Sequence, residues 1–131
     1  MPIPSRSNPS PLRPLVLLLL VSIGVYWIGL GQRPFAASEG HRVGPAWAML
    51  ASGDYWHVRL FEQLYLRKPP GMPWAIAGLS SLLGQTEFAA RAVSALAATL
   101  AAVVTYLFAR RWFGPRSAIA AGLSQALMPA V

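Results

Sequence analysis

The sequence predicts an all-α fold of polytopic transmembrane helices, joined by an external loop that carries short juxtamembrane helices. Three observations predict it. Of 131 residues, 55% are hydrophobic and only 11% charged, whereas a soluble domain usually carries about a quarter of its residues as charge. The apolar residues are gathered into long runs, which a small globular core does not need. The basic residues stand at the ends of those runs, the arrangement that orients membrane helices.

Each element follows in chain order. Residues 1–13 form a basic, proline-rich start that carries Arg6 and Arg13 and no acid; they are predicted to be disordered and cytoplasmic. Residues 14–31 form transmembrane helix 1, because positions 15–30 contain no charge and the flanking Pro14 and Gly31 bring the run to the minimum of about 17 residues for a span. A cleaved signal peptide shares this pattern. The nearest small-residue site, Phe35-Ala36-Ala37, lacks a small residue at its first position, so the retained helix is preferred.

Residues 32–87 form the external loop, which holds all four acids: Glu39, Asp54, Glu62 and Glu87. Within it, Val43, Ala46, Trp47 and Leu50 make an apolar stripe at helical spacing. Gly44-Pro45 suits the start of that helix and Ser52-Gly53-Asp54 its end, which predicts an interfacial helix at about 45–52. Residues 57–68 read as extended or irregular, because Pro69-Pro70 forbids a helix through Lys68. A second interfacial helix is predicted at about 70–84, its apolar stretch of 72–83 being too short for a span.

Residues 88–109 form transmembrane helix 2. Thr86 can cap its start and Glu87 complements its positive end, while Arg91 is the single charge in positions 88–108. Ser94, Ala98 and Ala102 recur every four positions and predict a close-packing face. Arg110, Arg111 and Arg116 flank Gly114-Pro115 in a cytoplasmic turn at 110–117. Residues 118–131 read as the start of a truncated transmembrane helix 3, so the chain is expected to be the amino-terminal part of a longer protein. Two basic, acid-free segments on the cytoplasmic side require an even number of crossings between them, which positions 15–30 and 88–108 supply, so 72–83 is not expected to cross. That puts 32–87 in the periplasm or an equivalent compartment and makes the chain a multi-pass protein of the cell (inner) membrane.

Composition also excludes functions. The chain has no cysteine, which removes disulfides, thiolate metal sites and cysteine nucleophiles. The net charge of +7 is explained by helix orientation, and no basic patch interleaved with aromatics is present, so nucleic acid is not an expected partner. The five tryptophans, Trp27, Trp47, Trp56, Trp74 and Trp112, fall near predicted interfaces and read as belt anchors.

Three segments, Ser38-Glu39-Gly40-His41-Arg42, Met49-Leu50-Ala51-Ser52-Gly53-Asp54-Tyr55 and Tyr65-Leu66-Arg67-Lys68-Pro69-Pro70-Gly71, together resemble the start of the GT-C membrane glycosyltransferases. The later Glu87-Phe88-Ala89-Ala90-Arg91 and Arg110-Arg111-Trp112-Phe113-Gly114 resemble the same family. Within that family the segments resemble the lipid A aminoarabinose transferases and the bacterial relatives of the dolichyl-phosphate-mannose protein mannosyltransferases. The resemblance spans roughly residues 38–114. It implies transfer of a sugar from a polyprenyl-phosphate donor to a lipid, glycan or protein acceptor at the outer face, with a membrane lipid as partner and the sugar and acceptor left open.

In that family an Asp-Glu pair opens the first external loop, and its Asp belongs to the active site. Aligned on the following motif, Ser38 stands in place of the Asp and Glu39 is the second acid; slipped by one residue, Glu39 takes the Asp position and Arg42 the place of a following arginine. Such transfer needs a base for the acceptor hydroxyl, cations for the leaving phosphate and exclusion of water. Glu39, at the outer end of the first span, is the catalytic candidate, as base or cation ligand; an ordinary interface acid is the alternative. Lys68 and Arg67, on a rigid basic corner before Pro69-Pro70, and Arg42 are the candidates for donor phosphate binding, against helix anchoring by snorkelling. A divalent cation stays open as cofactor, with Glu39 and His41 as weak candidate ligands. Asp54 reads as a turn residue, and His57 has no partner at a fixed metal-binding spacing. The competing function is a non-enzymatic or inactive relative. A transporter or channel component is disfavoured by the scarcity of charge in the predicted spans.

Overall fold

A computed structural model describes residues 12–61 and 63–128; the predicted basic start and the end of the last apolar run lie largely or partly outside the described residues. The described chain is mostly helical. It contains α1 (Leu12–Tyr26), a single 3₁₀ turn (Ala37–Glu39), α2 (Gly40–Ser52), a hairpin of β1 (Arg59–Leu60) and β2 (Gln63–Leu64), α3 (Gly71–Leu83), α4 (Glu87–Phe113) and α5 (Pro115–Leu127). Two compact units divide it, one of residues 1–28 with 97–131 and one of residues 29–96.

In the first unit α1 packs on α5, around a core of Leu18, Ala102, Tyr106, Ala109, Ala118 and Ala126. Gly122 makes this approach possible. A Cβ there would stand 3.0 Å from the Tyr106 Cβ and 3.2 Å from Leu18 Cδ2. The Tyr26 hydroxyl donates to the Gln125 carbonyl at 3.1 Å, and Trp27 Nε1 donates to Thr99 Oγ1 at 3.3 Å.

Three element boundaries differ from expectation here. The first helix ends at Tyr26 rather than near residue 31. Gly29 takes a left-handed φ of 78° and its carbonyl accepts the Gln32 N–H, so the chain turns out of the helix. The described α1 is about 22 Å long, short of the roughly 30 Å hydrocarbon core. The opposite holds for α4, which runs through Arg110 and Arg111 to Phe113 instead of ending at 109. Its 27 residues reach about 40 Å, and it is the one described helix long and apolar enough to cross a membrane. The break that follows is confined to Gly114, at φ 88°, and Pro115, whose fixed φ starts α5 three residues early. The predicted close-packing face of α4 holds in part: Ala102 is buried and Ala98 half-buried, while Ser94 is exposed and Ala92, Ala95, Tyr106 and Ala109 are buried as well. A strict four-residue step drifts off a 3.6-residue turn; alternating steps of three and four stay on one face.

In the second unit α2 packs on α3, with Val43, Ala46, Ile76, Ala77 and Ala90 buried and Phe35, Trp47, Leu50 and Met72 beside them. The stripe read from sequence is therefore the buried face of α2. Its helix, however, starts at Gly40, five residues before the predicted start, and Pro45 lies inside it. Pro45 removes the N–H that would serve the His41 carbonyl, but the preceding turn is held independently, as described below. Gly53 ends α2 at φ 72° with its N–H on the Met49 carbonyl at 2.9 Å, the left-handed cap.

The extended 57–68 stretch is a tight antiparallel hairpin, Arg59 opposite Leu64 and Leu60 opposite Gln63. It lies so close to α2 that a Cβ on Gly44 would meet Leu60 Cδ1 at 3.0 Å. α3 follows Pro70 directly and is about 20 Å long. The Ala89 N–H donates to Thr86 Oγ1 at 3.1 Å, the predicted cap of α4.

Candidate functional site

The second unit is organised around a guanidinium to which the sequence alone assigns no partner. Arg91 sits one turn into α4, beside the segment entering α2. Its Nε donates to Glu39 Oε1 at 2.9 Å and its Nη2 to Glu39 Oε2 at 2.9 Å, a bidentate pair. Nη1 also donates to the carbonyls of Leu30 and Arg33, both at 2.8 Å, and Nη2 to that of Pro34 at 3.1 Å. The Phe35 ring lies 5.4 Å from the guanidinium carbon, within cation–π range.

Glu39 answers with a further contact, its Oε2 accepting the Ala36 N–H at 3.0 Å. This closes the turn that starts α2 and explains why the helix begins before Pro45. Hydrogen bonding from Arg91, then from the Ala36 N–H, holds the Glu39 carboxyl at a pKa of about 2, well below the ordinary carboxylate value of 4.5. In this arrangement Glu39 is fully ionised and both its oxygens are occupied. It is a strong electrostatic anchor and a weak proton acceptor.

The predicted site residues fall into two groups. Glu39 and Arg42 meet at one small cavity of about 40 Å³, whose lining includes Arg91, Ser94 and Met72. Arg67 and Lys68 are exposed and line a groove of about 440 Å³ together with Trp56, His57, Val58, Leu64, Pro69 and Pro70. Arg67 also lines a groove of about 510 Å³ on the hairpin, and His41 faces that groove rather than the Glu39 cavity. Ser38 is exposed. No three histidine or carboxylate side chains come together as a metal-binding group among the described residues.

Local order at the Arg67–Lys68 groove comes from Asp54. Its Oδ1 accepts the N–H groups of Trp56 and His57, both at 3.1 Å, and its Oδ2 lies 2.9 Å from His57 Nδ1. These bonds, led by the His57 N–H, lower the Asp54 pKa and make the predicted turn. Trp74 Nε1 donates to the Tyr55 carbonyl at 2.7 Å and its ring meets Trp56 edge to face at 6.2 Å, tying the groove wall to α3. Sequence reading missed Arg91 as an organiser. The available signal was its isolation: a charge in an apolar helix requires a partner, and only four acids exist in the chain.

Comparison with known proteins adds a family. Residues 67–131 match the family described as dolichyl-phosphate-mannose-protein mannosyltransferase. An undecaprenyl phosphate-alpha-4-amino-4-deoxy-L-arabinose arabinosyl transferase of Pseudomonas aeruginosa is 30% identical over 109 residues, covering 81% of this chain and 20% of that protein. Transferase 1 of the same description from Pseudomonas fluorescens is 31% identical over 113 residues, with the same shares. Transferase 2 from another strain of that species is 31% identical over 111 residues, covering 83% of this chain and 20% of its own length. The chain thus spans about a fifth of the length of the curated relatives it matches. No solved structure matches it.

Proposed function

Because this chain belongs to the GT-C family of membrane glycosyltransferases, we propose that it forms part of an enzyme moving a sugar from a polyprenyl-phosphate donor to a lipid, glycan or protein acceptor at the outer face of the cell (inner) membrane. In this reading α1, α4 and α5 lie in the membrane, the basic start and the α4–α5 corner face the cytosol, and the segment between α1 and α4 faces outward.

The observation that carries the reading is that Arg67 and Lys68 line one groove with apolar side chains. A lipid phosphate presents an anionic head on a hydrocarbon tail, and such a groove offers cations to the first and apolar surface to the second. As the acceptor oxygen attacks the sugar's anomeric carbon, the bond to the phosphate oxygen breaks and negative charge grows on the departing lipid phosphate. Fixed cations there lower the barrier because their attraction strengthens as the charge develops.

Arg42 joins Glu39 as a second charged group, and Glu39 is the carboxylate assigned to the acceptor. To take a proton Glu39 must first leave Arg91; losing that partner returns its pKa toward 4.5 and frees an oxygen. The contrary reading, a relative without activity, is favoured by one feature: Ser38 occupies the place of the expected Asp while Glu39 is fully engaged.

The test is transfer from an undecaprenyl-phosphate sugar by the whole protein that contains this chain. Replacing Lys68 with Ala is expected to lower kcat/KM about 10²- to 10³-fold, the usual cost of one stabilising donor, with helix content unchanged. Undiminished turnover in Lys68→Ala and in Glu39→Gln would remove the enzymatic assignment of both residues.

A further inference from the structure

Outside the region already described, the strongest unassigned charge stands at the α4–α5 corner. A recess of about 500 Å³ opens there, lined by Leu107, Arg110, Arg111, Gly114 and Pro115. Arg116 is exposed on the first turn of α5, directly after Pro115. The last acidic side chain in the sequence is Glu87, 23 residues or more before these arginines, so the corner is rich in positive charge.

Two of the three are oriented by their neighbours. Arg110 Nη1 donates to the Tyr106 hydroxyl at 3.1 Å, and Arg111 lies 5.6 Å from the Trp112 ring centre. Trp112 and Phe113 are 68% and 70% exposed, at the end of the one described helix that is long and apolar enough to cross a membrane. An amphipathic tryptophan beside exposed arginines at such an end is the pattern of the headgroup level.

We infer that the α4–α5 corner is a binding site for the headgroup of an anionic phospholipid, with Arg111 and Arg116 contacting the phosphate and Leu107, Trp112 and Phe113 meeting the acyl chains. Charge complementarity selects the anionic headgroup over a zwitterionic one, which would bring its own cation into the same recess. The apolar rim selects a lipid over free phosphate. The inference needs α4 to lie in a membrane but does not depend on sugar transfer, so the two can fail separately.

Native mass spectrometry of the protein in detergent, with added dioleoyl phosphatidylglycerol or phosphatidylcholine, tests it. Wild type is expected to retain phosphatidylglycerol and not phosphatidylcholine. Each neutralisation, Arg111→Gln or Arg116→Gln, should weaken retention about fivefold, the usual effect of one basic residue at an anionic surface. Arg33→Gln, which removes a charge from the other unit, should retain the lipid as wild type does, and circular dichroism should give the same helix content for all variants. Equal retention by the Arg111→Gln/Arg116→Gln double variant, equal retention of the two lipids, or full displacement by equimolar inorganic phosphate would each overturn the assignment.

Discussion

Replacing Arg91 with Ala should be the most damaging single change in the second unit. The guanidinium makes two bonds to Glu39 and three to backbone carbonyls. Lowering the Glu39 pKa from 4.5 to about 2 corresponds to about 3 kcal/mol at 1.36 kcal/mol per unit. The side chains are 19% and 34% exposed, so solvent screening reduces this to about 1.5–2 kcal/mol. The three carbonyl bonds add about 0.5–1 kcal/mol each. Together the loss is about 3–5 kcal/mol, and it falls on the bonds that hold the carbonyls of Leu30, Arg33 and Pro34 to α4. Glu39→Gln should cost about half as much, because Arg91 keeps its carbonyl partners. Arg91→Lys should recover the charge but not the fork and fall between wild type and Arg91→Ala. Equilibrium unfolding in detergent micelles, followed by circular dichroism, reads these differences. An Arg91→Ala variant within about 0.5 kcal/mol of wild type, the range of an ordinary surface change, would refute the reasoning.

The same pair sets a pH dependence. The folded pKa of Glu39 lies below its unfolded value, so its stabilisation is complete above about pH 4.5 and is lost as pH falls through about 2; an unfolding series over that window should be steeper for wild type than for Glu39→Gln. Gly114, at φ 88° and ψ 175°, is in a region nearly closed to side chains, and Gly114→Ala should cost about 1–3 kcal/mol in the same unfolding measurement. Gly122→Val should push α5 away from Leu18 of α1 and Tyr106 of α4, costing about 1–3 kcal/mol by overpacking, readable as a loss of thermal stability. Since the chain has no cysteine of its own, Gln63→Cys on the exposed hairpin should react with a membrane-impermeant maleimide in intact cells; labelling only after lysis would reverse the proposed orientation.

Much was legible from residues alone. Long charge-free runs and clustered arginines determined a helical, membrane-type chain, because those signals depend on composition and local period. Gly53 and Thr86 marked their helix ends, since caps are chemistry between near neighbours, and Lys68-Pro69-Pro70 marked a basic corner for the same reason. What local rules misjudged were boundaries set by distant contacts. Pro45 looked like a helix start and lies inside α2, because Glu39 and Arg91, 52 positions apart, hold the preceding turn. Of the every-four stripe Ser94, Ala98 and Ala102, Ala102 is in the core while Ser94 is exposed, because the residues that pack are decided by which neighbours reach α4. The role of Glu39 shows the division most clearly: sequence placed a carboxylate at the end of an apolar run, and only the tertiary structure brought a guanidinium to both its oxygens, because a bidentate pair requires two remote segments to meet within hydrogen-bond distance.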